Sequence, residues 1–138
     1  MTTAGHETEL FALLANQLTS ALKSMDASAI IEREKYVFEP GHERVRIDLF
    51  TYAAGKTHIY AGKKDTATLK DVYRLMMYWD GLIRDEGNVD VGYLVAARHP
   101  EVVKELIDQK NALRDEHNNP IYNFELKTWQ ELGIPYPG

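Results

Sequence analysis

The residues of this sequence whose types and spacing could do chemistry are an aspartate, Asp48, and a pair of lysines, Lys63 and Lys64. Two carboxylates held close together would share a hard cation such as Mg²⁺, which prefers oxygen ligands. A nearby ammonium can orient a water molecule or offset the charge of a phosphate. The lysines follow two small residues, Ala61 and Gly62. Neither of these has a carboxylate, so no second acid stands directly before the lysines.

The two segments that carry these residues have the pattern of a β-hairpin. Residues 45–52 alternate between two faces, a Gly-containing turn follows, and residues 57–63 form the returning strand. Opposed residues in such a hairpin have numbers that sum to about 109, so Asp48 lies across from Ala61. Lys63 lies two positions further and points to the same face. A slip of one residue in the register would remove this pairing.

The other predicted elements surround this hairpin. Periodic apolar residues predict a helix over 6–25 and another over 68–84, the second with an apolar stripe of Leu69, Val72, Tyr73, Met76, Trp79 and Ile83. Thr68 and Asp71 resemble a capping box. The remaining predictions are strands over 30–38, 91–97 and 121–126, a turn over 39–42, a helix from about Pro100 to Leu113, and a short closing helix over 128–132. This order predicts an α/β fold with a mixed central β-sheet flanked by helices.

Composition indicates a single globular domain over 1–138, with 44% hydrophobic and 27% charged residues. The sequence has no cysteine, so disulfides, zinc–thiolate sites and thiol catalysis are excluded. It has no apolar run long enough to cross a membrane and no signal-peptide pattern at its start. We therefore expect a cytoplasmic protein with no membrane partner.

The positive charge of the chain is concentrated in its middle. The net charge is −5, yet residues 33–84 hold ten of the sixteen Lys and Arg residues against seven Asp and Glu residues. A basic surface of this kind could bind an anion such as nucleic acid. Chance clustering on a solvated surface explains the same distribution equally well.

Three segments in this order resemble the PD-(D/E)xK nuclease superfamily, which has the restriction-endonuclease-like and Holliday-junction-resolvase-like fold. They are RIDLF (46–50), IYAGKKD (59–65) and TLKDVYRLMMYWDG (68–81). The motif is short, and its specificity comes from its place in the element order. The resemblance implies an αβββαβ core over residues 6–98 and metal-dependent hydrolysis of phosphodiesters, more specifically of DNA.

Within this resemblance, several residues would have roles in the site. Asp48 would be a metal ligand for Mg²⁺ or Mn²⁺, Gly62 would offer its backbone carbonyl to the metal, and Lys63 would be the catalytic lysine. Glu9 resembles the helix carboxylate that some branches add to the metal, with Glu7 as the competing candidate. The resemblance and the positive middle of the chain also give four candidate contacts to nucleic acid, which are Lys64, Lys70, Arg74 and Tyr73.

The sequence departs from the family at Ala61, where the family has its second acid. An engineered Glu→Ala change and a natural, degenerate member both explain this alanine. Because Asp48, Gly62, Lys63 and Lys64 are all retained, the sequence favours the engineered change. In either case we expect little or no cleavage, since the loss of a carboxylate weakens metal binding and loosens its geometry.

Each site residue also has a plain structural explanation. Asp48 could be a solvated strand residue, the two lysines could protect a strand edge, and Glu9 could serve only the helix dipole. Tyr73 could belong to the core, and Lys70 and Arg74 could be solvated. The alternatives to a nuclease are a non-catalytic module that binds nucleic acid or protein, and an interaction domain without a nucleic-acid role. A small nuclease domain would act as a homodimer or as part of a larger protein.

Overall fold

The structure, a computed structural model, describes residues 7–37 and 45–135. Within these ranges the helices are α1 (Glu7–Met25), α2 (Leu69–Glu86) and α3 (Glu101–Asn111), and the strands are β1 (Ile30–Val37), β2 (Val45–Ala53), β3 (Lys56–Gly62), β4 (Val91–Ala96) and β5 (Phe124–Thr128). The turn predicted over 39–42 lies outside the described residues. In the described part of the chain, no helix combines the length and the apolar character needed to span a bilayer.

The strands form one mixed sheet in the order β1-β2-β3-β4-β5. The pairs β1–β2 and β2–β3 are antiparallel, whereas β4 is parallel to both β3 and β5. Parallel neighbours require crossover connections, and here α2 and α3 provide them. The predicted α/β fold, a mixed sheet flanked by helices, is confirmed.

The hairpin of β2 and β3 has the register predicted from sequence. Its turn residues Ala54 and Gly55 have φ angles of 51° and 78°, as a two-residue turn of type I′ requires. The paired residues of the two strands have numbers that sum to 109. When this register is continued by one residue beyond the last pair, Asp48 lies across from Ala61.

Two apolar cores lie on opposite faces of this sheet. On one face, α1 and the segment after β5 bury a core that includes Leu10, Phe11, Leu14, Leu49, Tyr60, Val95 and Trp129. On the other face, α2 and α3 bury a core that includes Phe50, Ile59, Ala61, Val72, Leu75, Leu94 and Val103. Burial of both apolar surfaces holds the central strands between the two layers of helices.

The C-terminal elements differ from their prediction. The last strand is Phe124–Thr128 rather than 121–126, and residues 129–133 form turns rather than a helix. Trp129 is fully buried there, and its Nε1 donates a hydrogen bond of 2.9 Å to the carbonyl of Lys63. This contact joins residues far apart in the sequence, so local periodicity gives no sign of it.

The buried side of α2 also differs from the predicted stripe. Trp79 is buried as expected, but Leu69, Tyr73 and Ile83 are between 41% and 48% exposed. The buried residues of α2 are Asp71, Val72, Leu75, Tyr78, Trp79, Gly81 and Leu82. Apolar residues occupy two adjacent sides of α2, and contact with the sheet decides which side is buried.

The alternation of side chains in β1 breaks at Glu34, whose φ angle is 59°. Its two neighbours would share one face in a regular strand, yet they contact opposite layers. Arg33 Nη2 donates to the carbonyl of Thr8 in α1, and Lys35 Nζ lies 2.8 Å from Glu86 Oε2 in α2. This break decides which side chains of β1 lie near the candidate site.

Candidate active site

Asp48 lies in β2 with its carboxylate directed towards α2. Its Oδ2 accepts a long hydrogen bond of 3.4 Å from the backbone N–H of Gly62, and it lies 3.9 Å from Arg74 Nη2. The hydroxyl of Tyr78 donates to the same carboxylate. Since only 18% of the Asp48 side chain is exposed, this carboxylate depends on partners from β3 and α2 rather than on water.

The environment shifts the acidity of Asp48. Burial raises the pKa of its carboxyl above the usual value, because it disfavours the charged form. The positive charge of Arg74 and the hydrogen bonds from Gly62 and Tyr78 favour the charged form and limit this rise. Burial also raises the pKa of the Tyr78 hydroxyl, so that it remains a donor at neutral pH. Shifted acids are frequent in functional sites, although structural ion pairs produce them too.

The guanidinium of Arg74 lies among the oxygen atoms of this site. Its Nη2 donates to the carbonyl of Gly62 over 2.8 Å and lies 3.5 Å from Asp71 Oδ1, in addition to its ion pair with Asp48. Its Nε is buried and has no hydrogen-bond partner among the described residues. The head group therefore lies against these oxygen atoms, although 37% of the Arg74 side chain is exposed.

Asp71 connects the start of α2 with Lys63. Its Oδ2 accepts hydrogen bonds from the N–H and the hydroxyl of Thr68, at 2.8 and 2.9 Å, which confirms the predicted role of Asp71 in capping α2. Its Oδ1 lies 3.7 Å from Lys63 Nζ. The Asp71 side chain is 4% exposed, and a carboxylate so deeply buried needs these hydrogen bonds and nearby cations.

The backbone at the end of β3 is held by the neighbouring strand β4 and by Trp129. The N–H of Lys63 donates to the carbonyl of Val95, and its carbonyl accepts from Trp129 Nε1, both at 2.9 Å. Gly62 faces α1 so closely that an added Cβ would lie 2.5 Å from Phe11 Cζ. Gly62 is therefore small for a packing reason, and not because a functional group has been lost.

Ala61 has no exposed surface and belongs to the core under α2. It pairs with Leu94 of the neighbouring parallel strand. By strand alternation, it shares its face with Asp48 and Lys63. A longer side chain at position 61 would therefore start from a buried backbone and extend towards the charged residues.

Three of the basic candidates lie together at the start of α2. Lys63, Lys70 and Arg74, with Asp71 and Met77, line a surface groove of about 350 Å³. A smaller cavity of about 150 Å³ lies beside Asp48, and its basic lining residues are Arg33, Arg46 and Arg74. Basic side chains outnumber acidic ones in the lining of both spaces.

Tyr73 and Lys64 are not part of these two linings in the described structure. Tyr73 is 48% exposed, so it is not a core residue, and Lys110 Nζ of α3 lies 5.6 Å from the centre of its ring. Lys64 is half-buried after the end of β3 and has interactions of its own. The roles of both residues in binding nucleic acid remain predictions.

Glu9 is half-buried in α1, and its Oε1 has no hydrogen-bond partner among the described residues. In the described structure, α1 contributes Thr8 and Phe11 rather than Glu9 to the cavity beside Asp48. The side chain of Glu7 lies outside the described part of the chain. A role for Glu9 in holding an ion therefore remains a prediction.

The residues of the site do not fit the divalent ion that the resemblance implies. The described residues contain no group of three or more His, Asp or Glu side chains that could hold a metal. The carbonyl of Gly62 already accepts a hydrogen bond from Arg74, and Ala61 has no side-chain oxygen. Mg²⁺ requires a nearly octahedral set of oxygens at about 2.1 Å, so we assign it no step in this chain.

Three residues of the site were not identified as site residues from the sequence: Asp71, Tyr78 and Arg46. Asp71 lies three residues before Arg74 in the same helix, which is a spacing for an ion pair and could have shown it. Tyr78 lies four residues after Arg74 and faces the same side. Arg46 lies two residues before Asp48 in β2, so strand alternation places it on the same face, and it pairs with Glu34 at 3.3 Å where the alternation of β1 breaks.

Comparison with known proteins gives structural matches only, since no family model and no curated protein matches the sequence. A repair endonuclease from Pyrococcus abyssi is 21% identical and has a TM-score of 0.54, over 85% of this chain and 44% of that chain. EndoMS in complex with dsDNA is 19% identical with a TM-score of 0.59, over 91% and 46%. A protein from Vibrio cholerae is 17% identical with a TM-score of 0.57, over 91% and 31%.

At these identities, the likeness shows the fold alone. The class that it defines is an α/β domain with a mixed sheet, similar in fold to the Pyrococcus abyssi repair endonuclease and to EndoMS. The chain spans less than half the length of each of these three proteins. The activity of this protein is therefore a matter for proposal.

Proposed function

We propose that this domain binds DNA and does not hydrolyse it, as a PD-(D/E)xK-type nuclease domain whose chemistry is impaired by Ala61. The observation that carries DNA binding is the groove lined by Lys63, Lys70 and Arg74 at the start of α2. Exposed lysines and arginines in a groove neutralise phosphates and release their counterions, which supplies most of the affinity of non-specific binding.

The structural neighbours also support the proposal of DNA binding. One is a repair endonuclease, and another is a protein bound to double-stranded DNA. In this chain, Asp48 of β2 and Lys63, which directly follows β3, share one face of the sheet by strand alternation. A substrate in common with these neighbours is a proposal for this chain, because the neighbours' sequences are distant from it.

Hydrolysis is the step that we propose this chain has lost. The resemblance assigns it to a Mg²⁺ or Mn²⁺ ion held by Asp48, a second acid and Glu9, with Lys63 beside the phosphate. Here, position 61 has no acid, and Lys63 lies 3.7 Å from Asp71 instead. Affinity for the phosphate backbone needs none of these ligands, so binding can persist without cleavage.

The proposed partners follow from the small size of the domain. We propose that it acts as a homodimer or within a larger protein, in the cytoplasm, because a single small domain would contact few phosphates. The three structural neighbours are longer than this chain, which is consistent with a larger assembly.

The test is a salt titration of binding to a fluorescent DNA duplex by anisotropy. The double variant Lys63→Ala/Lys70→Ala should bind more weakly, and its plot of log affinity against log salt should flatten by about 0.9 for each phosphate that is no longer neutralised. The matched control is Lys23→Ala/Lys56→Ala, which removes the same charge from the last turn of α1 and from the start of β3, at the opposite end of that strand from Lys63. The control should keep the affinity and the salt slope of the unmodified protein.

Equal weakening of both double variants would contradict a role for the groove. Complete absence of binding at low salt would contradict DNA binding and favour the second candidate function, which is protein binding. One observation supports that candidate: Leu69, Tyr73 and Val102 are 41% to 51% exposed and line one shallow surface between α2 and α3.

A further inference from the structure

We infer that Arg74 is an internal cation that replaces the divalent ion in this chain, so that an acid returned to position 61 does not by itself restore metal binding. The inference rests on the nuclease-type fold of the proposed function but not on DNA binding. Its experiments therefore contain no DNA, and their failure would leave DNA binding unaffected.

The charged head group of Arg74 lies between oxygen atoms of three residues. Its Nη2 lies 2.8 Å from the carbonyl oxygen of Gly62, 3.5 Å from Asp71 Oδ1 and 3.9 Å from Asp48 Oδ2. A backbone carbonyl and two carboxylates are the kinds of oxygen that Mg²⁺ takes as ligands. The distances, however, are those of a hydrogen bond and two ion pairs, so a guanidinium supplies the positive charge between these oxygens.

This arrangement leaves no favourable place for an ion. A guanidinium remains charged at every pH at which the protein folds. A divalent ion between Asp48 and the carbonyl of Gly62 would lie beside that charge in a partly buried site, where repulsion is strong. It would also have to displace the hydrogen bond from Arg74 to Gly62.

The inward position of Arg74 is also linked to Ala61. Position 61 shares a face with Asp48, so a glutamate there would extend towards Arg74 and form an ion pair with it. That pair would leave the new carboxylate unavailable to a metal.

The experiment measures Mn²⁺ binding, by electron paramagnetic resonance of the free ion, to four folded proteins: the unmodified chain, Ala61→Glu, Arg74→Gln and the double variant. We expect saturable binding of one Mn²⁺ in the double variant, at least tenfold tighter than any binding by the other three proteins. Ala61→Glu alone binding as tightly as the double variant would overturn the inference. So would a folded double variant that binds no Mn²⁺.

A second measurement covers the case in which the double variant does not fold. Arg74→Ala removes the internal cation and leaves space for a free one. Guanidinium chloride at sub-denaturing concentration should raise the melting temperature of Arg74→Ala, because a ligand that binds only the folded state stabilises it. The unmodified protein should show no such rise. An equal response of Arg74→Ala to the same concentration of NaCl would overturn the inference.

Discussion

The end of β3 separates two environments that differ in kind. On the side of α1, Gly62 meets Phe11, whose ring lies edge-on to Trp129 with their centres 5.4 Å apart. On the side of α2, Ala61 shares its face of the sheet with Asp48, whose carboxylate forms an ion pair with Arg74. The two small residues therefore have different surroundings. Close packing against Phe11 requires glycine at position 62, whereas Ala61 lies beside a charged site that has one acid fewer than the resemblance implies.

The largest expected effect is on the packed side. Gly62→Ala should lower the free energy of unfolding by about 1–3 kcal/mol, because the new methyl group overlaps Phe11 and forces it to move. Urea denaturation measures this loss. Phe11→Leu removes the overlapping atoms, so the double variant should lose less than the sum of the two single variants. Additive losses would show that the contact between Gly62 and Phe11 is not what requires glycine.

A similar effect is expected at the buried acid on the charged side. Asp71→Ala should cost about 1–2 kcal/mol, because it removes the acceptor of the two Thr68 hydrogen bonds at the start of α2. Asp71→Asn keeps one acceptor oxygen and should cost less in the same urea experiment. Equal costs for the two variants would mean that the negative charge near Lys63, rather than the cap, stabilises the helix.

The acidity of Asp48 provides the next test of the charged side. Its pKa should lie above the usual 3.8 in the folded protein, and Arg74→Gln should raise it further, because Arg74 favours the charged form. A folded pKa above the unfolded value means that this carboxyl favours folding below pH 3.8, and that its contribution is lost as the pH rises through the folded pKa. Carboxyl chemical shifts in an NMR titration report both values. A fall in the Asp48 pKa of Arg74→Gln would contradict the ion pair.

The smallest expected effect comes from histidines outside the site. Burial lowers the pKa values of His58 and His99 below 6.5. As the pH falls, these histidines therefore take up protons in the unfolded chain before they do so in the folded chain. Stability should consequently decline as the pH falls from 6.5 through the folded pKa values. His58→Gln should remove part of that decline, by less than about 1 kcal/mol, in thermal unfolding at pH 5 and pH 7. If the decline in stability is the same in His58→Gln as in the unmodified protein, then groups other than His58 cause it.

Much of the fold follows from the sequence because its signals are local. The turn at Ala54 and Gly55 fixes the register of β2 and β3, and the apolar runs predict the helices. The closing segment could not be predicted, because Trp129 is positioned by the distant carbonyl of Lys63. The prediction for the buried side of α2 was partly wrong for a similar reason. Only contact with the sheet selects between the two apolar sides of that helix.

The candidate site divides in the same way. Strand alternation and hairpin register predict that Asp48, Ala61 and Lys63 share a face, and the structure agrees with that register. The inward direction of Arg74 could not be predicted, because it depends on the carbonyl of Gly62, a backbone atom of a different element. The contribution of Arg33 depends on the break at Glu34, for which the sequence has no glycine to act as a signal.

The most direct test of the central claim, DNA binding without metal-dependent cleavage, uses one supercoiled plasmid with the unmodified protein. Binding and nicking are measured side by side in Mg²⁺, in Mn²⁺ and in EDTA, with Asp48→Asn as the control. We predict retardation of the plasmid in all three conditions, weaker in Mg²⁺ and Mn²⁺ because divalent ions compete for the phosphates, and no conversion to the nicked form. Nicking that requires a divalent ion and disappears in Asp48→Asn would contradict the account.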